Sequence, residues 1–259
     1  MRESSIKRNF VMNAILNAST FIFRLIRFPY VSRVLLPVGT GKVAAATSLI
    51  SYFAMVAQLG IPTYGIRACA RVRDDKEKLS KTVHELFFIN LIMSFIVYVV
   101  FFVALFNVKE LAEDRALYII CSTTIVFNLI GMEWLFKALE QYSYITANSI
   151  LFKFVALILM FVLVHDQGDY LFYGVTTIAA AAGSNVMNFI NVRKYISLTS
   201  IGNYNFRQHL KPVFVFFAMS IATTVYTNLD TVMIKFIQGD EQVGYYNAAV
   251  KVKTIVVSF

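Results

Sequence analysis

Apolar runs close to twenty residues long recur along the whole of this 259-residue chain. A helix rising 1.5 Å per residue needs about that many to cross a hydrocarbon layer roughly 30 Å thick. Lipid offers the backbone no hydrogen bonds, so such runs fold as helices that satisfy their own N–H and C=O groups. Spans are expected near 10–31, 43–61, 86–106, 116–136, 145–164, 170–190, 212–234 and 243–259. The fold class is therefore an all-α polytopic membrane protein. Hydrophobic residues make up 58% of the chain, and a soluble domain of this size has no use for eight such runs. The first run is too long, too polar on one face and without an A-x-A exit to be a cleaved secretory signal.

Basic residues set the expected orientation. With the N-terminus in the cytoplasm, fourteen lysines and arginines fall on cytoplasmic ends and loops. Five (Arg33, Lys42, Lys109, Arg115, Lys235) fall outside, and Arg24, Arg27, Lys153, Lys251 and Lys253 lie within spans. This is a positive-inside bias. The net charge of +9 then reflects topology and contact with membrane lipid headgroups, and no nucleic acid is implied. The stretch from Arg67 to Lys81 reads as a solvated basic loop. Cys69 falls in that loop and Cys121 within a span, so no disulfide is expected between them, and His84, His165 and His209 read as isolated.

The first span carries a polar stripe. Asn13, Asn17, Thr20, Arg24 and Arg27 are spaced four, three, four and three apart. At 100° per residue they occupy one arc of about 80°. An arginine near mid-bilayer costs roughly 2.5–3.5 kcal/mol on insertion scales. That is tolerable where the stripe faces protein or an aqueous cavity, and it suggests an anion nearby.

Displacing the chain on itself by 203 residues places Arg8-Asn9-Phe10 on Lys211-Pro212-Val213, Gly41 on Gly244, and Ala45-Ala46 on Ala248-Ala249. The stripe transfers too: Asn17, Thr20, Arg24 and Arg27 fall on Ser220, Thr223, Thr227 and Asp230. Six intervening spans give both copies the same orientation, the parallel two-bundle repeat that places substrate between halves. The expected organisation is a six-helix bundle over 1–206 and the first two helices of a second bundle over 207–259. On this reading the chain is the N-terminal portion of a longer two-bundle protein.

The run from Phe28 to Gly41 resembles the first-to-second-span junction of the bacterial polysaccharide flippases. So does Ser51 to Arg67, followed by Asp74-Asp75-Lys76 and Leu79-Ser80. Glu133-Trp134 with Glu140 to Ile145 is similar to that family's fourth-to-fifth-span turn. Tyr226 to Asp230 and Val243 to Lys251 are similar to its seventh-to-eighth. The family is the O-antigen and capsule repeat-unit branch of the multidrug/oligosaccharidyl-lipid/polysaccharide exporter superfamily. The resemblance implies two bundles around a central cavity in the bacterial cytoplasmic membrane, working by alternating access. It implies transport, without enzymatic chemistry or cofactor, of an undecaprenyl-diphosphate-linked oligosaccharide. Polysaccharide polymerase or export machinery would be the protein partners.

Arg24 and Arg27 are the leading substrate-binding candidates, because guanidinium forks bind phosphate oxygens bidentately. The plainer alternatives are a carboxylate partner for Arg24 and snorkelling for Arg27. Asn17, Thr20, Thr223 and Thr227 are candidate cavity residues. Asp230 could titrate as a coupling site or pair with Arg27 between bundles. Lys251, with Asn247, Thr254 and Ser258, forms a second four-three-four stripe that could extend the cationic lining, and Lys153 could face the same space. Trp134 reads as an interfacial anchor, and Ser48, Ser51 and Gln58 as packing groups. Gly39-Thr-Gly-Lys42 lacks the first glycine and the following Ser/Thr of a phosphate loop. No metal-ligand or nucleophile–base spacing occurs. The alternatives to a flippase are a drug or cation antiporter of the same superfamily, a membrane transferase, and an inactive remnant.

Overall fold

The computed structural model describes residues 2–199 and 201–257, with side chains described for 7–199 and 201–254. The described elements are helical. They run α1 (Arg2–Val34), α2 (Leu36–Gln58), α3 (Ile61–Val72), α4 (Lys76–Asn107), α5 (Lys109–Ala112) and α6 (Arg115–Gly131). After these come α7 (Glu133–Ala138), α8 (Tyr142–Leu163), a 3₁₀ turn at Gln167–Asp169, α9 (Tyr170–Val192), α10 (Arg207–Gln238) and α11 (Asp240–Val257). Six segments are long and apolar enough to cross a membrane: Lys7–Val34, Leu36–Val72, Lys76–Asn107, Arg115–Ala138, Tyr142–Leu163 and Arg207–Gln238. The chain is an all-α multi-pass membrane protein. Helices also form at the sixth and eighth expected spans, as α9 and α11, but these two are not among the six. Thr, Ser, Asn and Gly residues dilute α9, and Asp240, Glu241, Lys251 and Lys253 charge α11.

Two spans are broken. The second starts seven residues earlier than expected, with Pro37 in its first turn, and is interrupted where Leu59 and Gly60 take φ of 46° and 73°. It resumes as α3, which carries Arg67, Cys69 and Arg71 on a helix. The loop expected over Arg67–Lys81 thus shrinks to Arg73–Asp75, and Asp75 caps α4 by accepting the N–H groups of Glu77 and Lys78. The fourth span breaks at Met132, with φ of 40°. The two end segments, α3 and α7, pack on each other, and Trp134 lies 2.7 Å from where a Cβ on Gly65 would sit. Trp134 is buried there, which corrects its reading as an interfacial anchor.

Core packing concentrates at the two ends of the bundle. Val31, Leu35, Phe101, Leu105, Leu117 and Tyr118 fill the end where α1 meets α2. Leu59, Ile61, Leu79, Leu86, Trp134 and Val213 fill the other. The lipid-facing surface is as clear. On α4, Ile92, Phe95, Val99, Val103 and Phe106 lie three and four residues apart and are exposed, an apolar stripe of the kind that hydrocarbon covers.

α1 lies along α8 in parallel register. Thr146 Oγ1 donates to Met12 O, Lys153 Nζ to Thr20 Oγ1 at 2.6 Å, and Tyr30 Oη to Val164 O. Lys153 is therefore occupied with Thr20. α11 runs closely along α2 at the α1–α2 end. A Cβ on Gly41 would lie 1.8 Å from Asp240 O, and one on Gly244 would lie 2.0 Å from Pro37 O. Only glycine admits this approach, and these are the two glycines that the 203-residue offset superposes.

Candidate functional site

Between the two packed ends, α2 forms a common wall for two cavities. The one toward the α1–α2 end encloses about 400 Å³. Its wall includes Phe21, Arg24, Arg27 and Phe28 of α1, Thr40 and Thr47 of α2, and Tyr173 and Thr177 of α9. α11 contributes Asn247, Val250, Lys251 and Thr254. The structure thus brings Arg24, Arg27 and Lys251 to one space, from helices more than two hundred residues apart in the chain. The α11 stripe enters with them through Asn247 and Thr254, while Ser258 lies outside the described residues.

The cations are held by neutral and aromatic groups. The Arg27 guanidinium lies 4.9 Å from the Tyr173 ring centroid, and its Nη2 donates to Thr177 Oγ1. Thr177 Oγ1 in turn donates to Tyr173 O, which fixes the acceptor lone pairs toward Arg27. Lys251 Nζ sits 5.2 Å over the ring of Phe28. Stacking of this kind is worth about 0.5–2 kcal/mol, depending on desolvation, and leaves the cation's charge uncompensated. Among the described residues no carboxylate lies within 4.0 Å of Arg24, Arg27 or Lys251. Arg27 Nε is buried and has no hydrogen-bond partner. A buried charged donor left unpaired is costly, and an anion oxygen in the cavity would satisfy it.

The expected pairing of Arg27 with Asp230 does not form. Asp230 is exposed on α10 and accepts a 2.6 Å hydrogen bond from Tyr246 Oη, joining α10 to α11. Of the four α10 positions that the repeat matches to the α1 stripe, none lines the cationic cavity, and Ser220 lines the second cavity instead. Asn17 is exposed and lines neither cavity. Thr20 accepts from Lys153. Thr227 is exposed, accepts from Asn228 and donates to backbone within α10. Thr223 lines only a shallow hollow shared with Thr63 and Phe216.

The second cavity, of about 430 Å³, lies further along α2 toward Gly60. Its polar wall is Thr47, Ser51 and Gln58 of α2, Thr124 and Asn128 of α6, Thr177 of α9, and Ser220 and Thr224 of α10. None of these is charged. Ser51 and Gln58 therefore line a cavity where packing alone had been expected, and Thr224 takes the place that Thr223 was assigned. The two cavities share Thr47 and Thr177. Tyr173 and Thr177 were not singled out in the sequence. Their signal, a tyrosine and threonine four apart on a small-residue helix, is what ordinary helix packing also produces.

Two polar clasps bracket the cavities. At the α1–α2 end Lys42 Nζ meets Asp114 Oδ1 at 2.8 Å, Tyr170 Oη donates to the same oxygen at 3.0 Å, and Lys235 pairs with Asp240 at 2.6 Å. At the opposite end the buried Glu85 carboxylate binds His209, so His209 is not isolated. Lys137 pairs with Glu133 on the surface of α7.

A membrane-embedded helical bundle enclosing a cation-walled cavity is the class of protein these observations define. The chain belongs to the polysaccharide biosynthesis protein family, whose pattern matches residues 6–259. It is 24% identical over 247 residues to a protein of Escherichia coli (strain K12) named "Putative O-antigen transporter", an alignment covering 95% of this chain and 60% of that one. It is 26% identical over 249 residues to a protein of the same name from Shigella dysenteriae, covering 95% and 62%. The chain spans about three fifths of the length of these curated relatives. No solved structure matches it.

Proposed function

We propose that the chain forms the first bundle and the first two helices of the second bundle of a flippase. Its cargo would be a lipid-diphosphate-linked oligosaccharide, undecaprenyl being the expected lipid, moved across the cytoplasmic membrane for polysaccharide biosynthesis. The observation that carries this reading is the cavity where Arg24, Arg27 and Lys251 converge without a carboxylate. A diphosphate is the part of such a cargo that hydrocarbon excludes most strongly. Arg27, oriented by Thr177 and Tyr173, offers its unpaired Nε and the fork geometry that suits phosphate oxygens. Arg24 and Lys251 add charge from facing helices. The neutral cavity beside it, rich in hydroxyl and amide groups, suits uncharged sugar hydroxyls.

Family membership and the relatives' names support transport rather than catalysis. The positive-inside bias supports a cytoplasmic N-terminus, with the Glu85 clasp on the cytoplasmic side and the Lys42–Asp114 clasp outside. The glycine crossing between α2 and α11 supports the division into domains at 1–206 and 207–259, since matched positions of two repeats meet there. The cation-walled cavity disfavours a cationic drug as cargo.

Binding of a short prenyl diphosphate to the purified protein tests the reading, followed by leaflet exchange of an undecaprenyl-diphosphate glycan in proteoliposomes. Saturable binding that weakens at least tenfold in Arg24→Ala or Arg27→Ala is expected. Equal binding by the parent and both variants would remove the cationic site.

A further inference from the structure

One face of α4 changes character along its length. Lys76, Ser80, His84, Phe88, Ile92 and Phe95 recur at steps of four and three, so they form one stripe. Ile92 and Phe95 belong to the exposed apolar stripe that faces hydrocarbon, and Phe88 is exposed beside them. Lys76 is exposed at the charged start of the helix. At 1.5 Å per residue, about 18 Å separates Lys76 from Phe88.

The chain leaving α9 folds back over this stretch. Ser80 Oγ accepts the Ser197 N–H at 2.9 Å, and His84 Nδ1 lies 3.1 Å from Tyr204 Oη. An apolar groove of about 260 Å³ lies there, walled by Phe87 and Phe88 of α4, Phe189 of α9, and Ile196, Leu198 and Tyr204. Because Phe88 also belongs to the lipid-facing stripe, the groove opens where hydrocarbon begins. One turn nearer the start of α4 lies a polar cleft of about 420 Å³, walled by Lys76, Glu77, Ser80, Ser197 and Ile201. Groove and cleft adjoin, since Ser197 of the cleft stands between Ile196 and Leu198 of the groove. Neither shares a wall residue with the cationic or the neutral cavity.

Charge selects the headgroup. Lys76 lines the cleft, Arg193 and Lys194 precede its far wall, and Arg207 and Lys211 follow it. Among the described residues none of these five has a carboxylate within 4.0 Å. Glu77 opposes them within the cleft wall, which leaves the surroundings basic on balance. The positive-inside bias puts this end at the cytoplasmic leaflet, where anionic headgroups attract such clusters. A zwitterionic headgroup would bring its own ammonium against the same cations.

We infer that groove and cleft together bind an anionic phospholipid, with one acyl chain along Phe87 and Phe88 and the headgroup phosphate at Lys76. The far wall is the link between α9 and α10, so the lipid sits across the join of the two proposed bundles. Cargo binding is no part of this argument, so the lipid site and the cationic cavity stand or fall separately.

Trp134, the chain's single tryptophan, reports on the groove. It is buried in one core with the groove residues Val83, Met132, Val192 and Ile196, so bromine on a lipid chain in the groove quenches its fluorescence. The whole protein is placed in phosphatidylcholine nanodiscs doped with brominated lipid. Brominated phosphatidylglycerol is expected to reach half-maximal quenching at a mole fraction at least tenfold below that of brominated phosphatidylcholine. Lys76→Glu is expected to bring the two curves within about twofold. Leu198→Asp, which sets a carboxylate at the groove mouth, is expected to remove the preference as well. Arg24→Ala is expected to leave both curves unchanged while losing prenyl-diphosphate binding. Equal quenching by the two lipids in the parent would overturn the inference, as would a preference that survives either substitution. Displacement of the brominated lipid by a short prenyl diphosphate, in Arg24→Ala as in the parent, would overturn it too by giving the groove to the cargo. Both substituted residues are exposed, and the parent's own comparison of lipids decides the matter if a variant does not fold.

Discussion

Two cavities share a wall of α2 and the side chains of Thr47 and Thr177, yet they differ in charge. The cationic one is built by helices from the two ends of the chain, α1 and α11, closing on α2 and α9. The neutral one is built by α2, α6, α9 and α10. Hydroxyl and amide groups can line a membrane cavity at small cost because they bond back to their own helices, as Thr47 and Ser51 do to Val43 O and Thr47 O. Cations cannot do this. They need a partner, an aromatic face or water, and Arg27 and Lys251 have aromatic faces in place of carboxylates. Charge without counter-charge is what separates a binding wall from a structural ion pair such as Lys42–Asp114.

The sharpest way to break this comparison is to push α11 off α2. Gly244→Val or Gly41→Val drives a side chain into backbone 2.0 or 1.8 Å away, so a destabilisation of about 3 kcal/mol is expected. Thermal unfolding in detergent measures it. Prenyl-diphosphate binding should fall with it, while reactivity of a cysteine at Thr124, on the neutral cavity's far wall, should persist.

Charge removal comes next. Arg27→Ala is expected to weaken prenyl-diphosphate binding at least tenfold, about 1.4 kcal/mol. Arg27→Lys should recover only part of it, since an ammonium cannot reproduce the stacked fork. Raising the salt concentration should weaken the parent's binding and flatten the difference between variants.

The shared wall offers a subtler contrast. Thr177→Val removes the acceptor that orients Arg27 and should cost about 1 kcal/mol in the same binding assay. Thr224→Val, confined to the neutral cavity, should change diphosphate affinity less than about twofold, well under the effect of losing one neutral hydrogen bond.

The smallest effect lies away from both cavities, at the cap of α4. Hydrogen bonds from the Lys78 N–H and ammonium and from the Glu77 N–H hold the Asp75 carboxyl below its ordinary value. A depressed folded value means that the cap's contribution is fully present above the unfolded pKa, about 3.9, and is lost as pH falls through the folded value. Amide protection of Glu77 and Lys78 should therefore hold from neutral pH down past pH 4 and fade only in stronger acid. Asp75→Asn should retain most of it at every pH.

That the apolar runs are helices, and that the first carries an arginine stripe, was legible because each is a pattern within one segment. The α11 stripe was legible for the same reason: Asn247, Lys251 and Thr254 keep helical spacing and share one wall. What failed was pairing between segments. Arg27 and Asp230 superpose in the repeat, which suggested contact, but superposition relates positions by symmetry and does not place them side by side. Gly41 and Gly244 also superpose and do meet, because both lie at the crossing of α2 and α11. His209 looked isolated since its partners Tyr64 and Glu85 are more than one hundred residues away. The break at Leu59–Gly60 falls where the second span was expected to end, and the pattern showed neither α3 beyond it nor the break at Met132 inside the expected 116–136.

The sequence by itself determined the material of this protein: a chain of membrane helices, each with a lipid face and a polar face, and cations too expensive to leave in hydrocarbon. Solvation fixes those properties locally, residue by residue, so they need no partner to be read. Tertiary structure alone decided what the polar faces meet. It set Arg27 against Thr177 and Tyr173, gave Asp230 to Tyr246, and buried Glu85 on His209. Each choice depends on which helices cross and at what depth, and that follows from the summed packing of the bundle rather than from any one segment's pattern.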